Sequence, residues 1–141
     1  MPDFLIPLHP KLVHFPIAFI VGALLLEIVS QVSRKSLLHQ AAVVLYAMAA
    51  LFSIPTVLAG QAEQQRLHLH HPLLEAHEMY ALIFMYSSLA GLLILGLLHK
   101  CRPAWVRPVF VGLVCLLTAS ALAASWYGGQ MVYDYGVGVK P

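Results

Sequence analysis

Leu12–Val32 reads LVHFPIAFIVGALLLEIVSQV, a run with one acid, one histidine and no lysine or arginine. At 1.5 Å of rise per residue a helix of this length crosses the roughly 30 Å hydrocarbon core of a bilayer. Three more runs, Leu37–Ala59, Ala76–Leu98 and Val106–Tyr127, meet the same criterion, and no room is left for a fifth. The sequence therefore predicts an all-α integral membrane protein, a four-helix bundle forming one domain over residues 1–141.

The rest of the composition agrees. Of 141 residues 60% are hydrophobic and 10% charged, whereas soluble domains carry about 25% charged residues. Lys11 precedes the first run in the manner of a signal peptide. The length of the run, Glu27 inside it and the lack of a small-residue cleavage site before Arg34 predict that it stays attached.

Basic residues set the expected orientation. Arg34 and Lys35 lie between the first two runs, Lys100 and Arg102 between the last two, and Arg107 at the start of the fourth. The positive-inside rule assigns these connections to the cytoplasm, which places both termini and the 60s loop on the outer, periplasmic side of a bacterial inner membrane. Pro10 and Pro16 are expected to introduce the first helix, Gly60 to stop the second and Gly128–Gly129 to end the fourth. Pro55 is expected to kink the second helix near its outer end. No internal repeat is evident, and Cys101 and Cys115 lack any metal-type spacing and read as structural.

Histidines carry the functional signal. Under this topology His9, His14, His68, His70, His71 and His77 belong to the outer face, and His39 and His99 to the inner boundary. His14 and His77 fall where the first and third helices enter the membrane, a placement suited to axial ligation of one haem by two histidines. Ala18 and Gly22 follow His14 at helical spacing, and Ala81 and Met85 follow His77. Such small residues let a flat macrocycle approach the backbone, with Phe84 or Met85 against its edge, although small residues also serve plain helix packing. His9 or a loop histidine is the substitute ligand.

The same region admits a metal-ion reading. His68, His70 and His71 share the outer loop with Glu63, Glu75 and Glu78, and imidazole with carboxylate suits zinc, copper or iron. Glu27, deep in an apolar run, is a candidate for proton or quinone handling. The aromatic tail residues Trp126, Tyr127, Tyr133 and Tyr135 read as interface anchors or as a lid. The chain has no Gly-rich phosphate loop, serine elbow or zinc-protease helix, and its net charge of +2 forms no basic stripe, so conventional enzymes and nucleic-acid binding are not expected.

The opening His9-Pro10-Lys11-Leu12-Val13-His14-Phe15-Pro16-Ile17-Ala18 and the ending Gly128 to Val139, GGQMVYDYGVGV, resemble the signature ends of a bacterial membrane family catalogued as domain of unknown function 2231. The resemblance covers nearly the whole chain. His9 and His14 match the family's opening pair, and His77 matches a histidine frequent at the start of the third helix. Tyr135 stands where many relatives have a histidine. Some relatives are joined to or encoded with Rieske-type or cytochrome c modules, so the resemblance implies membrane electron transfer and favours haem over a bare metal.

The reading that follows is a haem b-binding redox carrier, more a carrier than an enzyme with its own substrate. It would pass electrons between a quinone or membrane donor and a periplasmic cytochrome or Rieske-type acceptor, as a monomer or a homo-oligomer. The alternatives are a divalent metal-binding or transport protein using the outer loop, and a non-catalytic small subunit of a respiratory complex.

Overall fold

The computed structural model describes residues 8–67, 71–98, 101 and 103–136. Its helices are α1 His9–Leu12, α2 His14–Ser33, α3 Ser36–Leu67, α4 Pro72–Leu98 and α5 Val106–Tyr133. No strand occurs among the described residues. The spans His9–Ser33, Ser36–Arg66, Pro72–Leu98 and Val106–Tyr133 are each long and apolar enough to cross a membrane. The chain is thus a multi-pass membrane protein whose outer surface contacts lipid. Val32, Leu93, Leu116 and Leu25 stay more than half exposed on the bundle's outside, an apolar surface of the kind that faces lipid.

α1 and α2 form one span interrupted at Val13. Pro16 has no N–H to offer the Leu12 carbonyl one turn back, so the ladder lapses there. α2 ends where Arg34 adopts the left-handed conformation, with φ 56° and ψ 22°. A residue with a Cβ is strained in that region by about 1–2 kcal/mol. Arg34→Gly is therefore expected to raise stability by about 1 kcal/mol, read as a higher thermal midpoint in detergent.

None of the three glycines expected to stop helices does so. α3 continues two turns past Gly60, and α5 runs through Gly128 and Gly129 to Tyr133. Gly60 and Gly128 serve instead as places where another side chain lies against the helix. Pro55 lies within a continuous α3.

α2 and α3 pack as one hairpin and α4 and α5 as a second; the hairpins meet through α3 on α4 and α2 on α5, so α2 and α4 face each other across the bundle. In lipid no hydrophobic force drives helices together, and close approach of small residues does the work instead. Ala23, Ala42, Ala49 and Ala50 are fully buried at these contacts, around a centre made by Ile20, Tyr46, Phe110, Val114 and Leu117. Tyr46 ties the hairpins by donating its hydroxyl to the Ser88 carbonyl at 2.6 Å.

Gly91 lies directly beneath that hydroxyl. A Cβ there would overlap both the Tyr46 Oη and the Leu113 Cδ2 positions. Gly91→Ala is expected to destabilise the protein by about 1–3 kcal/mol through overpacking. Gly96→Ala, where a Cβ meets open space, is expected to be neutral or stabilising by up to about 1 kcal/mol. Unfolding in mixed detergent micelles separates the two.

Candidate functional site: a pair of histidines at one end of the bundle

His9 in α1 and His77 in the second turn of α4 come together at the end of the bundle away from Arg34 and Arg107. Their ring centroids are 6.1 Å apart with the planes at 87°. Each ring is held by the helix it packs on. His9 Nδ1 lies 3.0 Å from the Thr56 carbonyl on α3, and His77 Nδ1 lies 2.7 Å from the Ala124 carbonyl on α5.

A carbonyl only accepts, so in both rings Nδ1 carries the proton, and in the neutral imidazole Nε2 keeps the lone pair. A backbone carbonyl on one ring nitrogen, leaving the other as donor to a metal, is the usual support of a ligating histidine.

Each ring also lies on a glycine. The position a Cβ would take at Gly60 is 2.9 Å from His9 Nδ1 and Cε1, and the one at Gly128 is 3.1 Å from His77 Nδ1. No larger residue leaves the rings where they are.

The two histidines share a cavity of about 60 Å³ whose walls include Val13, Pro16, Thr56, Ala81, Phe84 and Ala124. Its hydroxyls face their own helices. Ser53 donates to the Ala50 carbonyl, Thr56 to Phe52 and Ser125 to Ala121, so the chamber is apolar apart from the imidazoles.

As a donor set the pair has the ring spacing that one metal bound by two imidazoles would need. Two metal–nitrogen bonds of about 2.0–2.1 Å, with about 1 Å from each nitrogen to its ring centre, give a separation of roughly 6 Å. The room does not fit a macrocycle in this packing, since 60 Å³ is far below the roughly 300 Å³ of small ligand pockets.

His14, expected as the first axial ligand, is exposed and does not line the cavity; His9 lies there instead. Ala18 is likewise exposed, and Gly22 faces Leu45 of α3, whose Cδ1 is 3.0 Å from where a Cβ would be. Ala81 and Phe84 do line the cavity, while Ser88 lies deeper, against Tyr46.

His68 and His70 of the loop reading, and His99 of the inner boundary, lie outside the described residues. His71 packs on Tyr135 at 4.7 Å between centroids, and Glu78 accepts from Gln61. Glu63 is half-buried and Glu75 exposed. Among the described residues no three histidine, cysteine or acidic side chains gather as a metal group.

The opposite end holds the second polar centre. Glu27, 1% exposed, accepts from Arg107 Nε at 3.0 Å and Gln31 at 3.1 Å, and contacts His39 Nδ1 at 2.6 Å. Arg107 also donates to Ser30. Glu27, read from the sequence as a candidate for proton or quinone handling, is held here in an ion pair with Arg107. Serines and threonines between the two ends bond to carbonyls one turn back or, for Ser120, to Tyr80. They form no polar thread from one end to the other.

Fold and site together define a multi-pass four-helix membrane protein with a supported histidine pair at one end of its bundle. The chain belongs to the family described as predicted membrane protein DUF2231, whose model matches residues 5–141. No curated protein and no solved structure matches it.

Proposed function

We propose that the protein is a membrane redox carrier that holds a haem b between His9 and His77, with the iron bound by both Nε2 atoms. The observation behind this reading is the paired geometry of the rings: equal carbonyl supports, both Nε2 left as donors, and a 6.1 Å separation. Bound there, haem iron supplies one-electron transfer.

The apolar chamber argues for haem over a bare divalent ion. Two neutral imidazoles leave a divalent charge uncompensated at membrane depth, which is unfavourable, whereas the porphyrin brings its own two negative charges. Admitting the macrocycle requires Phe84 and Val13 to move outward from the present walls while the two rings keep their spacing.

The positive-inside rule puts the Arg34, Lys35 and Arg107 end in the cytoplasm of a bacterium and the histidine pair near the periplasmic face of the inner membrane. From there it exchanges electrons with a membrane donor such as quinol and with an acceptor on the outer side. Oxidised and reduced visible spectra of the detergent-purified protein, with a pyridine haemochrome assay, test the proposal. A b-type alpha band near one haem per chain is expected. Colourless protein from haem-replete cells overturns it.

A further inference from the structure

Residue identity shows no repeat, yet the two histidine supports have the same internal spacing. His9 bonds a carbonyl 47 residues on, and so does His77. Each ring lies on a glycine 51 residues on, Gly60 or Gly128. Shifting the first hairpin by 68 residues superposes both devices on the second.

The same shift maps several buried positions onto buried positions: Ile20 on Ser88, Ala23 on Gly91, Ala49 on Leu117. At the other end of the bundle it maps His39 onto Arg107, and these two side chains converge on one group, taking one oxygen each of the Glu27 carboxylate. The ring supports at one end and the two partners of Glu27 at the other obey one offset, as two equivalent hairpins around a shared axis require.

We infer that the chain is a tandem pair of one helical hairpin, and that the histidine site lies on the pseudo-two-fold axis between the copies. The site then presents two imidazoles alike, each with its own carbonyl and glycine support. Gly60 and Gly128 are its matched positioning residues. Haem as the ligand rests on the proposed function; the equivalence of the two supports does not.

The axis also accounts for why only this end carries the site. Both imidazoles survive here with the same carbonyl and the same glycine. At the far end one position has become Arg107 and faces a carboxylate, so the pair there closes on itself and offers no two-imidazole site.

Nitrogen-15 NMR of histidine-labelled protein in detergent micelles tests the equivalence without any cofactor. His9 and His77 are both expected as Nδ1–H tautomers. Gly60→Ala is expected to move only the His9 resonances and Gly128→Ala only those of His77, while Gly112→Ala, which meets open space on α5, moves neither. An Nε2–H tautomer at either ring, or no response to the glycine changes, overturns the inference.

Colourless wild-type protein with the predicted tautomers would remove the haem reading and leave the two-fold site standing.

Discussion

His9→Ala and His77→Ala are each expected to abolish the b-type alpha band, and His14→Ala to leave it in place. The first two remove one of two ligands, and the six-coordinate low-spin spectrum needs both. His14 is exposed on α2 and lines no part of the chamber, so its loss touches neither ligand nor wall. Added imidazole is expected to restore the band in His9→Gly and His77→Gly, because the glycine platform and the chamber remain. Loss of the band in His14→Ala with retention in His9→Ala would show that the α1–α2 junction rotates when the metal binds. Retention in all three would remove the site from this end of the bundle.

The four spans were legible because bilayer thickness imposes a length and a composition that no soluble helix needs. Their ends were not legible. A glycine after an apolar run normally signals a stop, but Gly60 and Gly128 lie where an imidazole from another helix needs the space of a missing Cβ. That demand comes from tertiary packing, which local sequence does not encode.

His14 is exposed and His9 lines the cavity, and the reason is present in the sequence. Ala18 and Gly22 mark a face of small residues below His14, which is not the buried one. Glu27 is the better guide, because a carboxylate at that depth has to point inward. Stepping back from it by helical spacings gives Ala23, Ile20 and Pro16, all buried, then Val13 on the cavity wall and His9. The repeat stayed hidden because its two copies share few identical residues; it is carried by spacings between a ring, a carbonyl and a glycine.

Arg107→Ala is expected to be the most destabilising single change at the other end, by about 3–5 kcal/mol, and Glu27→Ala to cost less, about 1.5–3 kcal/mol. The two partners of this pair are not equally buried. The Glu27 side chain is 2% exposed and that of Arg107 is 40% exposed. Removing the arginine strands a carboxylate with only His39 and Gln31 to face it. Removing the carboxylate releases a guanidinium that already reaches the interface and keeps its bond to Ser30; long cationic side chains at helix ends find water readily. The double variant is accordingly expected to be more stable than Arg107→Ala alone, since it leaves no orphaned charge. Unfolding in mixed detergent micelles gives the three differences, and equal losses for the two single variants would mean that the pair is solvated on both sides and that burial of Glu27 does not govern this end of the bundle.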